Sequence, residues 1–427
     1  MINLSLEFNY YELGEISDVK GGKRLPKGHN LIETPNNHPY IKVKDMSNDK
    51  LLKLTEDFEY IENETFNQIS QYTVKKSDLI VSIVGTIGLT NIIDYSLDNA
   101  NLTENCAKIT NLKEGYNIEF VYYYLNSNIG QNLIQEATVG AVQKKLPIKN
   151  IRTLKMPFPN ITIQNKIVKI LSTIDKKIEI NKRINKNLEE QIETVYNSFF
   201  VYYDDFSIEE LEECEIGLIP KEWDLLSLGE VTTQIKEKVG NNDYKVFSAV
   251  NTGNLILSEE YFDKQVFSKS IEKYIVVKQK EFAYNPARVN IGSIGRNDFD
   301  YDGCVSPVYV AFKVEEGYEN FVNMFIKSKR FNQWVVTLAS GSVRQTLNYT
   351  DFSIIKIAYP PKDLIEKFNI IYESYYEVIN HNNSMISNLE KIRDILLPKL
   401  MSGEIDVSKI NCDDFLFVKI ILLLLLY

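Results

Sequence analysis

The stretch GAVQKKLPIKNIRTLKMPFP, residues 140–159, has a counterpart in GSVRQTLNYTDFSIIKIAYP, residues 341–360. Glycine, valine, leucine, lysine and proline recur in register as Gly140/Gly341, Val142/Val343, Leu146/Leu347, Lys155/Lys356 and Pro159/Pro360, each pair 341 − 140 = 201 positions apart. An offset shared by five pairs constrains the fold more than any composition does. The chain reads as a duplication, and whatever it folds into is built twice. Its 427 residues exceed one ordinary core and fit two domains with connectors.

The correspondence continues upstream with small changes of offset, as loops of unequal length produce. VKKSDLIVSIVGTIG, ending at Gly88, answers VKQKEFAYNPARVNIGSIG, ending at Gly295. YYELGEISDV, residues 10–19, answers WDLLSLGEVTTQ, residues 223–234. These segments are short, rich in Ile, Val, Tyr and Phe, and punctuated by Gly, Asn and Asp, which predicts strands and turns with occasional helices. The predicted class is therefore α+β, with mixed domains at residues 1–160 and 217–360. The GTIG and GSIG glycines lack a following lysine-serine pair, so they are predicted to make tight turns rather than a nucleotide phosphate loop.

After Pro159 and after Pro360–Pro361 the period changes. Ile167, Leu171, Ile174, Ile178, Asn181, Asn185, Leu188, Ile192, Val195 and Phe199 recur at alternating steps of four and three, a heptad seam. Adding 201 gives Phe368, Tyr372, Tyr375, Ile379, Asn382, Ile386, Leu389, Arg393, Leu396 and Leu400, again largely apolar. Long helices are predicted at 161–200 and 361–402, with a linker at 201–216 and a tail at 403–427. Two matching seams in one chain can cover each other, and a local two-fold axis makes the pair an antiparallel coiled coil. Ile174, Ile178, Asn181 and Leu188 would then pack with Tyr375, Ile379, Asn382 and Leu389. A seam asparagine lowers stability but penalises wrong registers, where it would face leucine. A helix of about 35 residues spans roughly 50 Å, which would put the two domains at opposite ends of a rod.

Composition excludes several classes. With 44% hydrophobic and 25% charged residues, the chain is a globular protein rather than a disordered one. The four cysteines, Cys106, Cys214, Cys304 and Cys412, form no CxxC, and with His29, His38 and His381 they offer no metal-ligand spacing. Reduced thiols, a cytoplasmic location and no metal are expected. The apolar end FLFVKIILLLLLY, residues 415–427, is shorter than the roughly 20 residues a bilayer demands, so no membrane partner is expected. A net charge of −10 argues against nucleic acid globally but not locally, because phosphate affinity depends on basic patches. Catalytic motifs are missing. Adenine methyltransferases carry Asn or Asp before two prolines and an aromatic, whereas Asn285-Pro286 runs on to Ala287 and Tyr359-Pro360-Pro361 lacks the polar residue. There is no GxxxxGK either. The chain is predicted to be non-catalytic, without a cofactor.

Three phrases carry a resemblance: NLEEQIETVYNSFFVYYDDF (187–206), IGLIPKEWDLLSLGEV (216–231) and NLEKIRDILLPKLMSGEIDV (388–407). In this order the chain resembles the specificity subunits of type I restriction-modification systems, from about Tyr10 to Asp406. That resemblance implies two target-recognition domains separated by conserved helices, each domain reading half of a bipartite site on double-stranded DNA. The helices would serve as a ruler and dock adenine-methyltransferase subunits, two of them, with restriction (translocase/nuclease) subunits as further partners. Between the shared Val and Leu, the polar residues differ: Gln143, Lys144 and Lys145 in one domain, Arg344 and Gln345 with Thr346 in the other. Arg and Lys donate to guanine and Gln pairs with the adenine edge, so these are candidate base readers. Lys20, Lys23 and Arg24, beside the bare backbone of Gly21-Gly22, and Arg288 and Arg296 are candidate phosphate contacts. The competing reading is a structural coiled-coil scaffold without DNA binding, which the net acidity favours. The two are separated by whether these polar residues line a common face.

Overall fold

The computed structural model describes residues 8–141, 143–261, 267, 268, 270–338 and 346–408. It divides into two compact units, and neither is a continuous segment. The first comprises residues 1–182 and 383–427, the second residues 183–382, so both long helices are shared between the units.

In the first unit a five-stranded sheet runs in the order Asp18–Gly21, Cys106–Thr110, Leu79–Ser82, Thr90–Ile93, Leu51–Leu52. Its centre, LIVS at residues 79–82, is buried on both faces, which is why it reads as a continuous apolar run rather than an alternation. All neighbours are antiparallel except the last pair. Helices Ile118–Asn126 and Asn128–Glu136 pack with this sheet. In the second unit two four-stranded sheets take that place. One runs Thr232–Ile235, Val310–Val314, Phe282–Tyr284, Ile294–Arg296 and the other Asn254–Leu257, Lys245–Val250, Gly303–Val305, Ile275–Val277.

The duplication survives to the level of single hydrogen bonds. Asn9–Glu12 pairs antiparallel with Lys155–Phe158, and Asp224–Ser227 pairs likewise with Lys356–Tyr359. A four-residue helix follows each opening strand, Leu13–Ile16 and Leu228–Val231. Leu13 N donates to Leu154 O at 3.0 Å and Leu228 N to Ile355 O at 2.8 Å. In each, the glutamate of the shared Leu-Gly-Glu accepts from the backbone three residues back, Glu12 N to Glu15 and Ser227 N to Glu230, both at 2.7 Å. The leucine of each is fully buried.

The first long helix, Ile161–Asn197, has 37 residues and the second, Lys362–Met401, has 40. Their buried positions follow the predicted seam. In the first unit Ile167, Leu171, Ile174 and Ile178 share a core with Ile386, Leu389, Ile392, Leu396 and Leu400, and Arg393 reaches Asp175 at 3.3 Å. In the second unit Asn382 Nδ2 donates to Asn185 Oδ1 at 2.8 Å, while Leu188, Tyr375 and Ile379 join the core there. The partner of Asn382 is thus Asn185, not the residue at its own repeat position, Asn181, which is itself buried. Past Ile192 the seam departs from expectation: Tyr196 and Phe200 are buried, while Val195 and Phe199 are only half-buried. A π-helical turn at Ser198–Tyr202 ends this helix, and Tyr203 stops it in the left-handed conformation at φ 55°.

The connection to the second domain includes a hairpin, Leu211–Cys214 with Gly217–Pro220, which is exposed at Glu212 and Glu213 and buries Ile219. Residues 201–224 hold nine Asp and Glu against Lys221, so they carry 1 − 9 = −8 of the chain's −10. Cys106, Cys214 and Cys304 are free thiols, and burial pushes those of Cys106 and Cys304 up to about 12. Among the described residues no helix is long and apolar enough to cross a membrane, and no group of His, Cys, Asp and Glu could hold a metal ion. The apolar end at 415–427 lies outside the described residues.

Candidate nucleic-acid interface

The loop that carries Gln143, Lys144 and Lys145 is exposed, and its root is fixed. Val139 and Lys145 exchange backbone hydrogen bonds at 2.8 and 2.9 Å, which closes the loop on itself. Leu146, fully buried, donates from its N–H to Ile83 O at 2.9 Å. This ties the loop to the chain leaving strand Leu79–Ser82, so it lies beside the GTIG turn. That turn is held from the other side by Gln131, whose Nε2 donates to Gly88 O at 3.1 Å. Nothing in the loop itself supplies a partner for the lysine charges, and the charged heads are left to solvent or a ligand.

The second domain repeats this anchor. Leu347, also fully buried, donates to Pro286 O at 3.1 Å, where Pro286 follows strand Phe282–Tyr284. Arg344 and Gln345 lie outside the described residues, and Thr346 is half-buried. Arg288 stands two positions beyond the anchor and is exposed.

Lys20, Lys23 and Arg24 are exposed as well. Lys20 Nζ meets Asp18 at 3.0 Å and Arg24 Nε meets Glu104 at 2.6 Å, in ion pairs open enough to water that exchange for phosphate is inexpensive. Lys23 Nζ lies 5.6 Å from the Tyr72 ring centroid. Arg152 Nη2 donates to Val19 O at 2.8 Å and Gly21 lies against Ile148, so the short helix Ile148–Arg152 links this basic stretch to the loop ending at Lys145.

Three expectations need correction. The Gly21-Gly22 backbone is not bare. A Cβ at Gly22 would stand 2.0 Å from the Thr103 carbonyl oxygen, so this glycine is there to let two backbones touch. Arg296 is not a surface residue. It is 5% exposed; its Nε meets Asp298 at 2.5 Å, its Nη1 donates to Asn320 Oδ1 at 2.6 Å, and its Nη2 lies 3.4 Å from the Tyr372 hydroxyl. Burial works against its charge, but the Asp298 carboxylate outweighs burial and holds the guanidinium above its ordinary value. Gly295, expected in a turn, sits in strand Ile294–Arg296 against the backbone of Asn254.

Comparison with known proteins now bears on this geometry. Residues 6–190 match the family model of the type I restriction modification DNA specificity domain. The MjaIX specificity subunit of a type I restriction enzyme from Methanocaldococcus jannaschii is 23% identical over 425 residues, covering 95% of each chain. Residues 6–190 thus resemble a type I DNA specificity domain, and nearly the whole chain is similar to type I specificity subunits. The HindI specificity subunit of Haemophilus influenzae is 23% identical over 477 residues, with 93% of this chain and all of that one covered. The crystal structure of a type I system S subunit from M. genitalium shares the fold, with a TM-score of 0.53 and 15% identity over 94% of this chain and 97% of that one. Specificity subunits are the non-catalytic, DNA-recognising members of such systems, in keeping with the missing methyltransferase and nucleotide motifs.

Tight turns were expected at the GTIG and GSIG glycines, but their place beside the Leu146 and Leu347 anchors was not. The available signal was a change in offset. The anchor pair gives 286 − 83 = 203 and the left-handed turn glycines give 292 − 88 = 204, so the second-domain turn is one residue longer.

Proposed function

We propose that this subunit reads a bipartite, asymmetric DNA target, with one half-site taken by residues 1–160 and an unrelated one by residues 217–360. The observation that carries the reading is the anchor itself. Leu146 to Ile83 and Leu347 to Pro286 are matching anchors, and the three residues before each leucine are Gln-Lys-Lys in one domain and Arg-Gln-Thr in the other. A constant mount with exchangeable polar tips is what reading two different sequences requires. Gln143, Lys144, Lys145, Arg344 and Gln345 are the proposed base readers; Lys20, Lys23, Arg24 and Arg288 position the backbone.

The helices at 161–200 and 361–402 pair as an antiparallel coiled coil in this proposal and fix the length of an unread spacer. Support comes from the numbering of their contacts: Asp175 with Arg393, Lys182 with Glu390 and Asn185 with Asn382, so one number falls as the other rises. The same helices recruit two adenine-methyltransferase subunits, and restriction subunits through them. The test is a genome-wide map of adenine methylation in cells expressing this chain with its methyltransferase partner, against the partner alone. A new two-part motif with an unread gap is expected, and Arg344→Ala should relax one half only, losing about 1–3 kcal/mol of discrimination. An intact complex that writes no new motif would instead make the chain a scaffold.

A further inference from the structure

The longer turn of the second domain, residues 285–293, is stiff and ends in an apolar tip. Its base is closed by Asn285 N donating to Ser293 O at 3.0 Å, and its apex by Gly292 N donating to Val289 O at 3.0 Å. Ser293 Oγ donates to Ala249 O at 2.6 Å. Val289 is 3% exposed and plugs the turn into the core of its unit. Gly292 has φ +85°, and a Cβ there would lie 2.7 Å from Asn251 O, so the reversal admits only glycine. What this bracing presents outward is Ile291, 59% exposed, next to exposed Arg288. Among the described residues the Arg288 guanidinium has no ion-pair or hydrogen-bond partner.

A rigid turn that holds an isoleucine outward makes an aliphatic contact available at a fixed position. We propose that Ile291 is a specificity-determining residue of the second domain and takes the 5-methyl group of a thymine in the half-site this domain reads. The inference rests on the DNA-reading assignment above and deepens it. Three observations select DNA as the occupant. The turn is tied by the Pro286–Leu347 bond to the leucine that directly follows the variable Arg-Gln-Thr in sequence. Its flank carries an uncommitted cation, which suits phosphate. In the counterpart turn, one residue shorter between its base hydrogen bonds, Ile87 is half-buried where Ile291 is exposed, so the domains differ where their targets should differ. In the major groove the thymine methyl is the apolar feature that an aliphatic side chain can read.

The test uses the full chain assembled with its methyltransferase partner, once the methylation map has named the target. Duplexes are prepared in which each thymine of the second-domain half-site is replaced in turn by deoxyuridine, which lacks only the methyl group. One replacement should weaken binding by the parent complex about 4-fold, the worth of one buried methyl group at about 0.8 kcal/mol. Ile291→Ala should bind the thymine and deoxyuridine duplexes equally at that position and leave the first-domain half-site untouched. Because Ile291 is exposed, its variant should keep the parent's melting temperature. Insensitivity of the parent to every replacement, or an Ile291→Ala complex as sensitive as the parent, overturns the inference while the DNA-reading assignment stands. Loss of the methyltransferase subunits from the Ile291→Ala complex also overturns it and makes the turn a protein interface. A parent complex without any two-part motif removes the assignment and the inference together.

Discussion

Arg288 and Arg296 look equivalent in the sequence, two arginines flanking one glycine-rich phrase, yet the fold gives them opposite tasks. Arg296 is enclosed and bonded to Asp298, Asn320 and Tyr372, and Arg288 is open. Arg296→Met should therefore lower unfolding stability by about 3 kcal/mol, because it strips a partly buried carboxylate of its cation, whereas Arg288→Ala should stay within about 0.5 kcal/mol of the parent. Equal melting temperatures for the two variants would contradict this division. Residue type was legible in the sequence here, but burial was not. Enclosure of Arg296 comes from Asn320 and Tyr372, which lie 24 and 76 positions away. Gly22 teaches the same lesson, since the carbonyl that excludes a side chain belongs to Thr103. By contrast, the leucines at 146 and 347 could be picked out as fixed points, because a buried anchor holds its residue type while the exposed tips change.

At the scale of elements, the long helices were legible wherever helix packs on helix. A strict alternation of three and four belongs to that geometry, and it holds from Ile167 through Asn185 and, in the second helix, from Ile379 through Leu389. It fails where the first helix, still against Phe368 of the second, enters the aromatic core of the second unit. There Tyr196 meets Phe321 and Phe368 at 6.0 and 6.1 Å, and Phe200 meets Trp223, Phe321 and Phe368 at 6.0, 4.9 and 5.1 Å. Burial then follows steps of four, and the wide π turn completes the rotation. Tyr196→Ala should cost about 3–5 kcal/mol and Val195→Ala less than about 1.5 kcal/mol in chemical denaturation. The reverse order would restore the uninterrupted seam. Strands were legible as short apolar segments, but their division into one five-stranded sheet in one unit and two four-stranded sheets in the other was not, because it depends on pairings between distant segments.

For the whole molecule, the net charge is less of an obstacle to DNA binding than it looks. With −8 in residues 201–224, everything else sums to −10 + 8 = −2, so the reading domains are not uniformly acidic. If the paired helices set the spacer, adding seven residues to both should lengthen it by roughly 10 Å, about three base pairs, with neither half-site changed. Methylation mapping checks this, and an altered half-site would contradict the ruler. The sharing of both helices between the units has a further consequence on the ribosome. Ile167, Leu171, Ile174 and Ile178 are made early, but the helix that covers them ends at Met401, 401 − 182 = 219 residues after their own unit's first segment closes. At about 5–20 residues per second, the nascent chain carries that greasy stripe uncovered for roughly 10–45 s. During this interval the residues of the second unit, 183–382, are all made before the first unit receives its closing helix.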